Sequence, residues 1–205
     1  MYRTKIKDLI NWRLSKNRKP LIVLGARQVG KTWLIKEFGK SEFSNIVYIN
    51  FEEESRLQNL FKSDLNVKRI ITALEAFFET KIVAENTLIV FDEIQSAPNG
   101  ITSLKYFYEN APEYFVIASD SLLGMNLHNN ISFPVGKVNY LNLYPMNFYE
   151  FLLAAGEKGL AEILENKQWD ILNVFADKFK ENLKYYFYIG GMPEVVNDFA
   201  ANRDW

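Results

Sequence analysis

Leu21-Ile22-Val23-Leu24-Gly25-Ala26-Arg27-Gln28-Val29-Gly30-Lys31-Thr32-Trp33-Leu34 passes from an unbroken apolar run, through a glycine-bounded turn, into helical spacing. An apolar run that feeds a glycine turn is what a strand buried on both faces looks like in sequence. Gly25 to Thr32 matches, at every fixed position, the loop that cradles phosphates between a strand and a helix. In that geometry backbone N–H groups around Gln28 to Lys31 and a helix amino terminus face an anion, and glycine lets the backbone approach it closely. Gly25, Ala26, Arg27, Gln28, Val29, Gly30, Lys31 and Thr32 are therefore the expected nucleotide-binding residues. Lys31 would pair with β- and γ-phosphate oxygens, and the Thr32 hydroxyl would take one Mg²⁺ position. Arg27 would touch phosphate or pair with a nearby carboxylate.

Downstream, Leu88-Ile89-Val90-Phe91-Asp92-Glu93 sets four apolar residues before two carboxylates. A buried strand would deliver both acids to its carboxyl end, the edge where open α/β sheets bind ligands. There Asp92 would belong to the Mg²⁺ shell, and Glu93 would orient and deprotonate a water attacking the γ-phosphate. Neighbours on a strand point oppositely, which separates their roles. Asn50 and Glu52, and then Ser119, Asp120 and Ser121, lie at the ends of other strands, with Ser121 the candidate sensor of the γ-phosphate.

The rest of the chain fits an α/β layer architecture. Helical spacing links Tyr2, Ile6, Leu9, Ile10 and Leu14, recurs over Val67 to Phe78, and returns at Ile101, Leu104 and Tyr108. Strand-like runs cover Ile46 to Phe51, Thr87 to Phe91, Tyr114 to Ala118 and Val138 to Leu143. Alternation of this kind predicts a parallel sheet with helices on both faces, because parallel neighbours need crossovers. Beyond Pro145 the pattern becomes helical, with Phe148, Phe151, Leu152 and Ala155 on one stripe and Trp169, Leu172, Phe175, Phe179, Leu183 and Tyr186 on a second. The expected organisation is a phosphate-loop core with an amino-terminal helix over 1–145, a helical lid-like region over 146–189, and the opening of a further domain over 190–205.

Composition excludes several chemistries. With no cysteine and one histidine, the chain has neither thiolate zinc sites nor the means for a cysteine or Ser–His nucleophile. His128 reads as a solvent-facing loop residue. A net charge of −1, from 24 Lys and Arg against 25 Asp and Glu, gives no global field for DNA. No apolar run has membrane-spanning or signal-peptide length, so the expectation is a cytoplasmic protein with no membrane partner. Guanine specificity is disfavoured, since the nearest string to Asn-Lys-x-Asp is Asn166-Lys167-Gln168-Trp169.

Taken in order, the phosphate loop with Arg18-Lys19-Pro20-Leu21 before it, Phe91-Asp92-Glu93-Ile94-Gln95, Ser132-Phe133-Pro134-Val135-Gly136-Lys137-Val138, Leu143-Tyr144-Pro145-Met146 with Phe148-Tyr149-Glu150-Phe151, and Gly190-Gly191-Met192-Pro193-Glu194 resemble the AAA-type ATPases of the AAA_14 class. The resemblance implies an ASCE-type core with Lys31 and Thr32 as Walker A residues and Asp92 and Glu93 as Walker B residues. It also implies a carboxy-terminal domain of the DUF4143 kind beginning near Gly190. Asp120 departs from the family, which prefers glycine there, and adds negative charge near the phosphate site. The expected activity is Mg²⁺-dependent hydrolysis of ATP coupled to movement of the helical region. Its rival is an ATP-dependent switch for a DNA or protein partner with little turnover. Since no arginine stands where one would stabilise the transition state, a second copy or a protein partner is expected to supply it.

Overall fold

The computed structural model describes residues 2–121, 134 and 136–202. Their contacts define two compact units.

The larger unit comprises Lys5–Arg27 and Lys31–Leu143. Its centre is a five-stranded sheet of β1 (Leu21–Gly25), β2 (Asn45–Asn50), β3 (Thr87–Asp92), β4 (Phe115–Ser121) and β5 (Asn139–Asn142), in the order β2-β3-β4-β1-β5. All pairings are parallel. Strand β4 thus lies between the strand that precedes the phosphate loop and the strand that ends in Asp92. The registers Gly25↔Ser121 and Asn50↔Asp92 bring the carboxyl ends of four strands to one edge.

Helices cover both faces. On one, Ile89, Phe91, Val116 and Ala118 pack against α3 (Val67–Phe78) and α4 (Gly100–Asn110) through Ile70, Leu74, Leu104 and Phe107. Phe51, Phe61, Phe91 and Phe107 meet there with ring centroids 5.5–5.9 Å apart. On the other face lie α1 (Ile6–Leu14) and α2 (Lys31–Glu42), where the Trp12 and Phe38 rings meet at 6.3 Å. Strand alternation explains the division: Ile89 and Phe91 face one layer, Leu88 and Val90 the other. Gly39 lets α2 lie close to the sheet, since a Cβ there would sit 2.6 Å from Ile46 Cδ1 and 3.2 Å from Leu88 Cδ2.

The smaller unit draws on Met1–Thr4, Gln28–Gly30 and Tyr144–Trp205. Its helices are α5 (Phe148–Ala154), α6 (Lys158–Glu165), α7 (Trp169–Val174), α8 (Ala176–Ile189) and α9 (Pro193–Asn202). One apolar cluster joins Met146, Phe151, Ala155, Val196 and Phe199, and a second joins Leu152, Leu160, Ala161 and Phe179. Helix α5 opens with a capping box, in which the Asn147 side chain accepts from the Glu150 N–H and the Glu150 carboxylate accepts from the Asn147 N–H. Gly191 has no room for a side chain: a Cβ there would stand 2.3 Å from the Met146 carbonyl oxygen, whose residue donates its N–H to Gly191 O at 2.7 Å.

Two expectations change. The amino-terminal helix starts at Ile6, so Tyr2 leaves its stripe and meets the Tyr149 ring edge-on at 6.4 Å. The stripe from Trp169 to Tyr186 is two helices that meet at Phe175, whose N–H reaches the Ile171 and Leu172 carbonyls. Periodicity continued across the break because both segments are amphipathic. Helix α6 lies within the 146–189 stretch expected to be helical. His128, and the Ser132, Phe133 and Val135 positions of the resemblance, fall outside the described residues.

Candidate nucleotide site

Within the larger unit, β1 ends at Gly25 and α2 begins at Lys31. Lys31 is buried, and its ammonium folds back onto the Gly25 and Ala26 carbonyl oxygens, 3.0 Å from each. Burial draws its pKa below the ordinary lysine value, and the negative charges of Glu93, Asp92 and Asp120 oppose that. Arg27 is exposed, with its guanidinium 3.7 Å from Glu52.

At the second residue of the helix, Thr32 donates from Oγ1 to Asp92 Oδ2 at 2.8 Å. Asp92 is buried at the end of β3, and its carboxylate collects four donors. Oδ2 also accepts from the Tyr48 hydroxyl at 2.5 Å, while Oδ1 accepts from Ser119 Oγ and from the Glu93 N–H. Burial, and then the bond to Asp92, push the Tyr48 phenol well above its ordinary pKa, so Tyr48 is a donor at every physiological pH.

Glu93 follows in the left-handed region, at φ 50 and ψ 47. Such a backbone is uncommon outside glycine and takes the side chain out of strand alternation. The divergence of Asp92 and Glu93 therefore comes from this turn rather than from the pleat. Gln95 holds the Glu93 carboxylate, donating from Nε2 to Oε2 at 2.6 Å.

At the end of β4, Ser119, Asp120 and Ser121 are all buried. Ser119 is committed to Asp92. Asp120 points to the opposite face of the strand, and neither of its carboxylate oxygens has a hydrogen-bond partner. Burial, and then the charge of Glu93, raise its pKa to about 6, opposed chiefly by the charge of Lys31. Ser121 pairs in register with Gly25.

In the smaller unit, Gln28 takes a left-handed backbone at φ 62, Val29 is fully buried, and Gly30 sits at φ +93. The Val29 carbonyl accepts from Arg3 Nη1 at 2.8 Å, and Arg3 Nη2 donates to the Tyr144 carbonyl at 2.6 Å.

Sequence reading passed over Tyr48, the use of Ser119 on Asp92, the Gln95 to Glu93 bond, and Arg3 with Glu150. Alternation in Ile46 to Asn50, which places Tyr48 between inward-facing Val47 and Ile49, was the signal for Tyr48. Asn147-x-x-Glu150 was the signal for the cap. Nothing local marks Arg3, whose partners are 26 and 141 residues away.

A parallel sheet covered on both faces, with a glycine-bounded loop between β1 and α2 and a hydroxyl-carboxylate pair beside it, defines a P-loop ATPase core of the ASCE, AAA-like type. The chain belongs to the AAA_14 family of AAA domains, whose model matches residues 17–152. Among solved structures, it is similar to the Walker-type ATPase PABY2304 of Pyrococcus abyssi at 18% identity and a TM-score of 0.56, over 99% of this chain and 68% of that one. It also resembles the Orc1 protein of Aeropyrum pernix, solved in complex with DNA, at 14% identity and a TM-score of 0.48, over 77% of this chain and 50% of that one. PCH-2 of C. elegans aligns at 12% identity and a TM-score of 0.43, over 80% of this chain and 49% of that one. No curated protein matches in sequence. No described helix is long and apolar enough to cross a membrane.

Proposed function

We propose that the chain binds ATP with Mg²⁺ and hydrolyses the γ-phosphate, and that nucleotide state moves its helical region. The observation that supports this best is the adjacency, on one sheet edge, of a buried Lys31 bonded to the Gly25 and Ala26 carbonyls and a Thr32–Asp92 pair 2.8 Å apart. A lysine in that place can exchange carbonyl oxygens for phosphate oxygens without being exposed.

The residues present fit a magnesium ion. Mg²⁺ at phosphates takes one or two protein oxygens and keeps water for the remainder, so a hydroxyl and one carboxylate suffice. Among the described residues no cluster of three or more His, Cys, Asp or Glu side chains forms a cage, consistent with a site completed by phosphate. The metal supplies neutralisation of charge on the β- and γ-oxygens. Thr32 and Asp92 would hold it, Tyr48 and Ser119 orient Asp92, and Lys31 would pair with phosphate. Glu93, steadied by Gln95, holds the attacking water and takes its proton.

Asp120 favours the second reading, a switch with little turnover. A carboxylate buried beside Lys31 and Glu93 works against phosphate charge and favours a slow cycle. A second copy or a protein partner supplying an arginine would then set the rate. A cytoplasmic location, where ATP is available, suits this activity.

Lys31→Ala tests the site. Calorimetry should show ATP affinity falling below detection, because loop amides alone then face the phosphates. Wild-type affinity in a folded variant would remove the nucleotide reading.

A further inference from the structure

Arg3 is nearly enclosed, at 3% exposure, and both of its Nη nitrogens donate to backbone. Nη1 reaches the Val29 carbonyl at 2.8 Å and Nη2 the Tyr144 carbonyl at 2.6 Å, while Nε lies 3.3 Å from Glu150 Oε2. Glu150 is buried as well, and its carboxylate is fixed from other sides. Oε1 accepts from the Thr4 N–H at 2.6 Å and Thr4 Oγ1 at 2.8 Å, and Oε2 accepts from the Asn147 N–H at 3.1 Å.

We propose that Arg3 is a positioning residue for nucleotide binding, which orients the Val29–Gly30 peptide of the phosphate loop and ties it, through Glu150, to the first turn of α5. The inference deepens the nucleotide reading and rests on it.

Peptide geometry supplies the reason. In a planar trans peptide the C=O and the following N–H point in opposite directions. Clamping the Val29 oxygen therefore fixes the direction of the Gly30 N–H, one of the amides expected to face phosphate. A guanidinium on the carbonyl also draws electron density from the amide, which makes its N–H a stronger donor.

Gly30 is shaped for this contact. A Cβ there would lie 3.3 Å from Arg3 Nη1 and 3.5 Å from Pro193 Cγ, at a backbone φ of +93 that L side chains rarely adopt. Arg3 is thus seated against the loop that it orients. Its other end holds the residue that caps α5, so a change in the Val29–Gly30 peptide is transmitted to a helix terminus through a single buried ion pair.

The test compares wild type, Arg3→Gln, Arg3→Lys and Lys31→Ala by titration with a fluorescent ADP. Hydrogen exchange of Phe148–Ala154, with and without ADP, is measured alongside. Arg3→Gln should bind ADP about 10-fold more weakly or worse, as loss of a charge-assisted bond to the loop implies, and should lose the ADP-induced protection of Phe148–Ala154. Arg3→Lys keeps the charge but not the fork, and should lose about 3–10-fold. A structural role alone would lower the melting temperature while leaving both the affinity of the folded protein and its exchange response intact. Should Arg3→Gln fail to fold, Arg3→Lys decides. Wild-type affinity and wild-type protection in the folded variants overturn the proposal while Lys31→Ala still fails to bind. If wild type binds ADP no better than Lys31→Ala, the nucleotide reading falls and takes this inference with it.

Discussion

Tyr48 and Thr32 donate to the same oxygen of Asp92, at 2.5 and 2.8 Å. One hydroxyl comes from a strand and the other from the helix after the phosphate loop, so this oxygen is held by two elements at once, while Ser119 of β4 holds the other oxygen. The Tyr48 ring also lies 3.9 Å from the Lys36 ammonium, which anchors it from the side of α2.

Tyr48→Phe should retain the fold and the cation–π contact while releasing one constraint on Asp92. The Mg²⁺ concentration for half-maximal activity is expected to rise by about 10-fold, at the low end of what an orienting partner of a metal ligand contributes. A magnesium titration of phosphate release at saturating ATP measures it. An unchanged midpoint would reduce Tyr48 to packing.

Glu93→Gln should bind ATP like wild type and hydrolyse it more slowly by about 100-fold or more, because the amide keeps the shape but cannot take a proton. Single-turnover phosphate release, set beside calorimetric affinity, separates the two effects. Undiminished turnover would assign the proton to another group.

Asp120→Asn gives a prediction with a definite sign in pH. The folded-state pKa of Asp120 is raised to about 6 from 3.8. At pH values well below 3.8 both folded and unfolded chains hold the proton, and the charge-dependent penalty is absent. As pH rises through the interval up to about 6, the unfolded chain ionises first and the folded state loses stability, a deficit that persists at higher pH. Asparagine removes the charge, so the variant should be more stable than wild type at pH 8, by about 1–3 kcal/mol, with the gain vanishing near pH 4. Urea unfolding at the two pH values provides the comparison, and a gain independent of pH would contradict the argument.

What was legible in the sequence follows from how local each signal is. The phosphate loop, the apolar strands and the amphipathic α3 are each specified within a dozen consecutive residues, and Val67 to Phe78 is helical over the expected span. Asp92 could be placed because four apolar residues lead to it. Its partners were less visible, since Tyr48 and Ser119 reach it only after β2 and β4 have taken their places beside β3. The turn at Glu93 is likewise invisible to alternation, which assumes that the strand continues. Arg3 lay deeper still, in a stretch whose spacing suggested helix, with partners supplied by the fold rather than by sequence neighbours.

The retracted Lys31 has a consequence for the end of a catalytic cycle rather than its beginning. A buried ammonium stripped of its anion would be a stranded charge, and departing ADP would have to leave it behind in that condition. Here the Gly25 and Ala26 carbonyls, each 3.0 Å from Nζ, are ready to receive it. On the proposed reading, product departure would be a swap of phosphate oxygens for these carbonyl oxygens. If Lys31 pairs with phosphate as proposed, nucleotide affinity would be the difference between two sets of contacts, which would favour exchange over retention.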